Sequence, residues 1–428
     1  MKSLGWGSSQ TLRPGKSGLS TTVIVPSSGS DAILGDPDTK TMSITFQLHA
    51  TDGAARAGTL HTPHGDVPTP TFMPVATQAS VKTVTPQELR DLGVALVMGN
   101  TYHLYLRPGV DLVRDMGGMS AFMGWDGPTI TDSGGFQAYS LGRNARIDAQ
   151  GLRFQSHIDG SIHLFTPEAV MSYQESLGAD IIMPLDHCVA YTQDITASRQ
   201  AMERTHEWLE RCIQAHDGKG QSLFGIVQGS VFPDLRNESA AFVTARDLPG
   251  YAIGGLAVGE PKDMTYSTAA RVAALLPQDR PRYLMGVGSP EDLVRCVALG
   301  VDMFDCALPT RVARNGALFT AHGRVNIDVA AYRGQRGPVD DGCDCYTCRH
   351  FTAGYLHHLF RARELLGLRL ATIHNLRFIM RLMDRMRAAV MEGTFQAFAS
   401  EFLASYRPAD EDARMEQRAR WLLTQGKE

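Results

Sequence analysis

An apolar stretch with a carboxylate inside it decides the fold, and it reads VDMFDCALPTR at residues 301–311. The run is strand-like, and Asp305 stands inside it, ahead of Arg311 and Arg314. An unpaired buried charge is costly, so such a carboxylate is either a structural cap or ion pair, or a group kept ready for chemistry. Other apolar runs along the chain also end in a polar residue or a glycine, which favours a catalytic role over a structural one.

Working outward from this run, we find eight short apolar runs bounded by turn residues, each predicted to be a strand. They lie at residues 71–76, 96–100, 129–132, 181–186, 223–228, 251–256, 283–287 and 303–308. Helical patterns separate most of them, at residues 85–92, 167–177, 195–216, 235–245, 267–276 and 290–299. This alternation predicts an α/β fold, a (β/α)8 barrel of the TIM type, whose strand carboxyl ends share one site.

Polar residues or glycines stand at the ends of six predicted strands. These residues are Asn100, Asp132, Asp186, Gln228, Gly255 and Asp305. Each one alone is as well explained as a helix cap or turn former, because Asp, Asn and Gly are common in both roles. Six such positions in succession favour a common site at the mouth of the barrel.

The composition fits a globular enzyme. A chain of 428 residues with 43% hydrophobic content can bury one large barrel and an appendage. No apolar run approaches the length of a bilayer span, which argues against a membrane role. Residues 1–41 are rich in Ser, Gly, Thr and Pro and lack the apolar core of a signal peptide, so we predict a disordered extension.

Charge is distributed unevenly along the chain. The net charge is −4, but residues 311–387 contain 13 Arg, no Lys and six acidic residues. This local charge of +7 leaves −11 for the remainder, and a basic face on an acidic protein suggests a polyanionic partner. A solvated helical surface is the alternative explanation, since charge counts indicate attraction but not specificity.

A cysteine cluster predicts a metal site. Cys343, Cys345 and Cys348 lie within six residues, and His374 follows on a predicted helix. Three thiolates and an imidazole suit a closed tetrahedral zinc site, which would be structural because no ligand position stays open. Reduced cysteines or a disulfide are the alternatives, and His350, His357 and His358 are nearer candidates for the fourth ligand.

Several motifs together resemble those of the bacterial tRNA-guanine transglycosylases. They are TDSGGFQ at residues 131–137, FGIVQG at 224–229, IGGLAVGE at 253–260, DMFD at 302–305, PTR at 309–311 and the three-cysteine cluster. The resemblance runs from about residue 43 to about residue 406. One departure is visible, because the chain reads DHCV at residues 186–189 where many relatives have DECT.

The resemblance implies an enzyme that exchanges guanine at the wobble position of GUN-anticodon tRNAs, those for Asp, Asn, His and Tyr, for 7-aminomethyl-7-deazaguanine in queuosine biosynthesis. It also implies a covalent ribosyl intermediate, with Asp305 as the nucleophile and Asp132 as the general acid and base. The implied base-binding residues are Asp132, Ser133, Gly134, Gly135, Phe136, Asp186, Gln228, Gly255, Leu256 and Met285.

The resemblance further implies contacts with the tRNA anticodon loop, one structural zinc ion per subunit, a homodimer and a cytoplasmic location. The implied RNA-binding residues are Gly286, Val287, Gly288, Ser289, Pro290, Glu291, Asp292, Thr310, Arg311, Val312, Ala313 and Arg314. We expect four regions: the extension at 1–41, the catalytic barrel at 42–320, the zinc subdomain with its closing helices at 321–406, and a tail at 407–428.

Three other functions compete with this interpretation. A noncatalytic RNA-binding paralogue of the same family would keep the zinc site, but the presence of Asp132, Asp186 and Asp305 together argues against it. A zinc-dependent barrel hydrolase would need histidines at the strand ends, which are lacking. The archaeal relative that modifies another tRNA position resembles a longer chain with an added RNA-binding domain.

Overall fold

The structure is a computed structural model that describes residues 44–216, 218 and 220–408. The predicted extension at 1–41 and nearly all of the predicted tail lie outside these residues. The strands are β1 (Thr45–Asp52), β2 (Ala55–Thr62), β3 (Gly65–Thr69), β4 (Thr71–Met73), β5 (Val75–Ala76), β6 (Val97–Asn100), β7 (Thr129–Asp132), β8 (Arg143–Ile147), β9 (Leu152–Gln155), β10 (Ile162–Phe165), β11 (Ile181–Ile182), β12 (Ser222–Leu223), β13 (Gly225–Val227), β14 (Tyr251–Ile253), β15 (Arg282–Leu284), β16 (Met303–Asp305), β17 (Ala317–Thr320) and β18 (Gly323–Asn326).

The α-helices surround the strands and continue into the C-terminal region. They are α1 (Pro86–Asp91), α2 (Thr101–Leu106), α3 (Val110–Asp115), α4 (Gly118–Met123), α5 (Gly135–Leu141), α6 (Pro167–Leu177), α7 (Ile195–Ala215), α8 (Pro233–Thr244), α9 (Lys262–Leu275), α10 (Pro290–Ala298), α11 (Leu308–Arg314), α12 (Tyr346–His350), α13 (Ala353–Arg361), α14 (Leu365–Glu392) and α15 (Phe395–Ser405). None of the described helices is long and apolar enough to cross a membrane.

Ten short strands close into an eight-stranded parallel barrel. One sheet runs in the order β12, β11, β7, β6, β5 and the other in the order β13, β14, β15, β16, β4. The two sheets join twice, because β4 continues into β5 across Pro74 and β12 continues into β13 across Phe224. The pairing of β16 with β4 places Asp305 opposite Met73 and completes the circle. The predicted (β/α)8 barrel is confirmed.

Apolar side chains fill the barrel, and a small antiparallel sheet closes its amino end. Met98, Ile130 and Met303 from barrel strands are buried in one cluster with Leu60 and Val67 of the sheet β1–β3. Asp302 lies at the start of β16, where it accepts a hydrogen bond from Arg56 Nε of β2 at 3.1 Å. The sheet β1–β3 therefore covers the amino ends of the strands, and the carboxyl ends at the opposite mouth are where an active site is expected.

Several predicted strands are longer than the observed ones. The fourth was predicted at residues 181–186, but β11 ends at Ile182. Met183 and Leu185 are still buried, so the apolar pattern was detected correctly. The backbone of Met183 instead bonds the side chain of Gln174, whose Nε2 donates to Met183 O at 2.7 Å and whose Oε1 accepts from Met183 N at 2.9 Å.

The C-terminal region is built around the 28-residue helix α14. This helix packs against β1 and β2 of the closing sheet, against the barrel strand β4, and against α11, α12 and α13. The hairpin β17–β18 spans the predicted domain boundary at residues 320 and 321, so that boundary stays a prediction. The arrangement brings the helix that carries His374 beside the cysteine cluster.

Candidate active site and metal site

The mouth of the barrel collects the predicted strand-end residues. Asn100, Asp132 and Asp305 are the last residues of β6, β7 and β16. Gln228 follows β13 directly, and Gly255 lies two residues beyond β14. Because all these strands are parallel neighbours, their carboxyl ends meet at one edge. Direct contacts join Asn100 to Asp132 and Gln228 to Asp186, whereas Asp305 is held by other residues.

Asp132 is a buried carboxylate surrounded by donors. Its Oδ2 accepts from Asn100 Nδ2 at 2.5 Å and from Gln137 Nε2 at 2.8 Å, while its Oδ1 accepts from the Thr101 backbone N–H at 3.0 Å. The pKa of Asp132 is raised to about 6, mainly by burial and to a smaller extent by the negative charge of Asp305, while these three hydrogen bonds oppose the rise. A carboxyl with a pKa near neutrality can both give and accept a proton.

Asp305 is held through one oxygen only. Tyr283 Oη donates to Asp305 Oδ1 at 2.6 Å, and the Gly286 backbone N–H donates to the same atom at 2.9 Å. In the part of the chain that the structure describes, no donor contacts Oδ2. Burial raises the pKa of Asp305, and both hydrogen bonds oppose this rise. One carboxylate oxygen is thus fixed while the other faces no partner, which suits a nucleophile.

Asp186 and Gln228 form a second polar pair. Gln228 Nε2 donates to Asp186 Oδ2 at 2.7 Å, and burial raises the pKa of Asp186 to about 6. Gly255 adjoins this pair with a φ of +65°, and a Cβ there would lie 2.3 Å from Gln228 Oε1. Only glycine lets the backbone approach Gln228 so closely. Beside them, burial raises the pKa of Cys188 to about 12, so its thiol stays protonated.

The departure at His187 leaves the carboxylate next to it in place. The backbone N–H of His187 donates to Thr205 Oγ1 at 3.0 Å, and its ring lies 6.5 Å from that of Trp208. Burial lowers the pKa of His187 to about 4, so the imidazole is neutral at neutral pH. With a neutral His187 beside it, the contact between Asp186 and Gln228 is present at 2.7 Å.

The remaining predicted base-binding residues line the turns of the mouth. Gly134 has a φ of +77°, and its Cβ would lie 2.7 Å from the backbone nitrogen of Tyr102, so a side chain is excluded there. Ser133 Oγ accepts from the Gly135 N–H at 3.3 Å. Leu256 is buried, Met285 is partly buried, and Phe136 exposes 49% of its surface, the most of this group. Their contacts with a base stay predictions.

The predicted RNA-binding residues divide by exposure. Gly286 and Arg311 are exposed, and Val312 and Arg314 are partly buried. Asp292 is buried, and its carboxylate accepts hydrogen bonds from Lys262 and from Tyr266 Oη. The other members are buried. They are Val287, Gly288 and Ser289 in the turn before α10, Pro290 and Glu291 at the start of α10, and Thr310 and Ala313 in α11. Arg311 is thus the most accessible charged group of the set.

Three cysteines and one histidine form the predicted metal cluster. The Nδ1 of His374 lies 3.6 Å from the Sγ of Cys343, 3.6 Å from that of Cys345 and 3.3 Å from that of Cys348. All four ligand atoms lie within 4.8 Å of one another. A tetrahedral zinc ion with ordinary bond lengths separates sulfur and nitrogen ligands by about 3.6 Å. The residues therefore fit zinc, and His374, rather than its nearer rivals, completes the set.

The surroundings of the cluster orient its ligands. His374 Nε2 donates to the Phe319 carbonyl at 2.6 Å, which leaves Nδ1 to face the thiols. Arg377, one turn further along α14, binds Asp344 through Nε at 2.9 Å and Nη2 at 2.7 Å. All seven cysteines are free of disulfides. A metal here would link the segment at residues 343–348 to α14 and stabilise this region.

Sequence reasoning missed several residues that hold the site. Tyr283, which donates to Asp305, was treated only as the start of a strand. It could have been found, because it lies two residues before Met285 and so points to the same side of its strand. Thr101 donates through its backbone, which any residue provides, so no sequence signal exists. Arg236 on α8 was also missed, because its neighbours Asp234, Asn237 and Glu238 are polar and give no sign that Arg236 is fully buried.

Comparisons with known proteins agree with this geometry. A family profile described as "Queuine tRNA-ribosyltransferase" matches residues 51–408. The chain is 53% identical over 387 residues to the queuine tRNA-ribosyltransferase of Herpetosiphon aurantiacus, covering 90% of this chain and 99% of the relative. It is 50% identical over 384 residues to the queuine tRNA-ribosyltransferase of Dehalococcoides mccartyi, covering 89% of this chain and 98% of the relative. It is 54% identical over 367 residues to that of Desulforudis audaxviator, covering 85% of this chain and 99% of the relative.

Proposed function

Because this chain belongs to the queuine tRNA-ribosyltransferase family, a family of tRNA-guanine transglycosylases, we propose that it exchanges guanine at the wobble position of tRNAs for 7-aminomethyl-7-deazaguanine. The tRNAs would be those with GUN anticodons, for Asp, Asn, His and Tyr, and the product would lead to queuosine. The observation that carries the proposal is the pair Asp132 and Asp305 at the carboxyl ends of two strands of the same mouth, each held by its own donors. A noncatalytic paralogue would not need either arrangement.

The first chemical step is the departure of guanine. Asp305 Oδ2 attacks the anomeric carbon of the ribose, an ester bond forms, and the bond between that carbon and guanine N9 breaks. The electron pair passes to the base, and the proton of Asp132 neutralises it. The pKa of Asp132, raised to about 6 by burial, supports this role because part of the population is protonated near neutrality.

The second step reverses the first with a different base. The N9 of 7-aminomethyl-7-deazaguanine gives its proton to the Asp132 carboxylate and attacks the same ribose carbon. The ester to Asp305 breaks and returns the carboxylate. Two inversions give net retention, as with the paired carboxylates of retaining glycosidases. The RNA backbone is never cut, because only the glycosidic bond changes, in a nucleotide that has been turned out of its stack.

Base recognition belongs to the second polar group. The free oxygen of Asp186 can accept hydrogen bonds from the ring N–H and the exocyclic amine of a guanine-like edge. Gln228 fixes the other oxygen at 2.7 Å, so the carboxylate is oriented before the base arrives. The backbone at Gly255 and the amide of Gln228 would meet the opposite carbonyl. Phe136 and Met285 would enclose the flat ring from its two faces.

The metal site and the partner complete the proposal. Cys343, Cys345, Cys348 and His374 would hold one zinc ion, which supplies local stability and no chemistry, because four protein ligands fill its shell. The anticodon loop of the tRNA would contact the turn at residues 286–290 and α11. A single-stranded loop is the usual target of sequence-specific RNA recognition. The subunits would form a homodimer, and a tRNA substrate implies a cytoplasmic enzyme.

Base exchange can be tested directly. Unmodified tRNA with a GUN anticodon would be incubated with radiolabelled guanine and the protein, and label would be counted in the recovered intact tRNA. The proposal expects incorporation by the wild type and none by the Asp305→Asn variant, which keeps the size of the side chain but lacks a nucleophilic carboxylate. Free guanine release without incorporation would instead indicate a hydrolase, and no reaction with bound tRNA would indicate a noncatalytic binder.

A further inference from the structure

A fully buried arginine lies directly behind the base-reading residues. Arg236 is in the first turn of α8 and has no exposed surface. Its guanidinium donates to three backbone carbonyls: Nε to Ser230 O at 2.6 Å, Nη1 to Val227 O at 2.7 Å, and Nη2 to Gly255 O at 3.4 Å. One side chain therefore spans two neighbouring strand ends of the barrel.

These carbonyls surround the residues proposed to read the base. Val227 immediately precedes Gln228, Ser230 lies two residues after it, and Gly255 is itself in the proposed base site. Another residue of α8 supports the same segment, because Ser239 Oγ accepts from the Gln228 backbone N–H at 3.0 Å. The backbone of Gln228 is thus held from its amino side, its carboxyl side and its own N–H by a single helix.

Arg236 makes no ion pair with any described carboxylate. Burial lowers the pKa of Arg236 to about 10, so it is still charged at neutral pH. Glu260 attracts this charge only from beyond ion-pair distance. A buried charge that no carboxylate contacts is a poor source of stability, and apolar residues of similar size commonly do better. The cost is explained if the planar guanidinium is needed to hold three carbonyls in different directions. A lysine ammonium, a point donor, cannot reproduce that geometry.

We propose that Arg236 is a positioning residue for base recognition. It keeps Gln228 and Gly255 at a fixed separation in the free protein, so that the site already fits a guanine-like edge when the base arrives. The inference rests on the proposed function. It assigns Arg236 no contact with the base or the reacting atoms. Its loss should therefore weaken the binding of the base and leave the chemical step almost intact.

The test is the steady-state kinetics of the Arg236→Lys variant with radiolabelled guanine and saturating tRNA. We expect the KM for guanine to rise about tenfold or more, in line with the loss of hydrogen bonds that orient buried groups, while kcat changes less than about threefold. The KM for tRNA should not change. A wild-type KM for guanine, or a fall in kcat at unchanged KM, would overturn the proposal.

Arg282→Lys is the matched control. Arg282 is also buried, and its Nη2 and Nη1 donate to the Leu276 and Gly300 carbonyls at 2.9 and 3.4 Å, but it begins β15 at the opposite end of the barrel. Both variants should lower the midpoint of thermal unfolding, whereas only Arg236→Lys should raise the KM for guanine. An equal rise in both variants would mean a general loss of packing and would overturn the proposal.

A measurement on the wild type covers the case in which Arg236→Lys fails to fold. The Nε–H resonance of Arg236 in protein labelled with ¹⁵N-arginine should move when 7-aminomethyl-7-deazaguanine saturates the site, and that of Arg282 should not. An unmoved Arg236 resonance with bound base contradicts the inference. If the wild type exchanges no guanine at all, the proposed function fails; if it does and only the Arg236 results are negative, the function stands and this inference fails.

Discussion

At the scale of single residues, the three carboxylates of the mouth differ in what holds them. Asp132 has donors at both oxygens, whereas Asp305 and Asp186 each have one oxygen held and one without a described donor. These differences suit the three proposed roles: proton transfer for Asp132, bond formation for Asp305 and base recognition for Asp186. The aspartates look alike in the sequence, and only their neighbours distinguish them.

Asp186→Ala should weaken binding of the free base. The donors of a guanine-like edge would be left unsatisfied, and each such buried group costs about 1–3 kcal/mol, so we expect roughly tenfold to hundredfold weaker binding. Calorimetric titration with 7-aminomethyl-7-deazaguanine measures this. Asp159→Ala, in the exposed turn between β9 and β10, is the control and should bind like the wild type. Unchanged affinity in Asp186→Ala would remove this residue from the base site.

Asp186→Asn should stabilise the protein above pH 6. Burial raises the pKa of this carboxyl from 3.8 to about 6, so ionisation costs more in the folded chain than in the unfolded one. Stability is lost as pH rises between these values, and the neutral amide avoids the loss. Urea unfolding should show a gain of up to about 3 kcal/mol at pH 8 and below about 1 kcal/mol at pH 4. A gain that does not depend on pH would point to packing instead.

At the scale of elements, the sequence predicted the barrel but not everything attached to it. The eight apolar runs were found because a parallel barrel strand is buried on both faces. Strand ends were less certain, since burial continues past β11 while a glutamine side chain takes over the backbone hydrogen bonds. The sheets β1–β3 and β8–β10 were missed, because their strands do not form continuous apolar runs: β1 has no buried residue, and β9 alternates over only four residues.

Loss of the proposed zinc ion from the cluster of Cys343, Cys345, Cys348 and His374 should affect only the structure around it. Cys345→Ala removes one of four ligands, so we expect release of about one zinc per chain, looser packing of α12 to α14 and weaker tRNA binding or dimerisation. Free base binding should survive. Zinc would be measured by atomic absorption and base binding by calorimetry. Cys212→Ala, a buried cysteine on α7, is the control and should keep its zinc. A Cys345→Ala protein with a full zinc content would contradict the structural metal.

At the scale of the whole molecule, the basic segment is less available than its charge suggests. Arg377 and Arg381 pair with Asp344, and Arg369 pairs with Glu88. Arg311 has no described ion pair and is exposed on the helix that follows Asp305. The count of +7 for residues 311–387 already includes Asp344, and only the pairing with Glu88 reduces it further. Arg311 is therefore available to a polyanion beside the mouth, and Arg333, Arg336, Arg349 and Arg363 are exposed elsewhere in the segment. Only the folded chain shows which of these charges are already paired.

Arg311→Ala should weaken tRNA binding and reduce its salt dependence. Loss of one phosphate contact lowers the slope of log affinity against log salt concentration by about 1. Filter binding at several salt concentrations measures the slope. Arg199→Ala is the control, because Arg199 pairs with Glu238 on the outer helices α7 and α8. A slope equal to that of the wild type in the Arg311 variant would exclude this residue from the RNA contact.

If Asp305 carries the ribose during base exchange, a covalent adduct between the protein and the tRNA can be trapped and mapped. The protein would be mixed with tRNA, quenched with acid before an incoming base is added, and digested with nuclease and protease for mass spectrometry. We expect a ribonucleotide linked to the peptide that contains Asp305. A linkage mapped to Asp132, or base exchange by a protein that never forms an adduct, would contradict this role of Asp305.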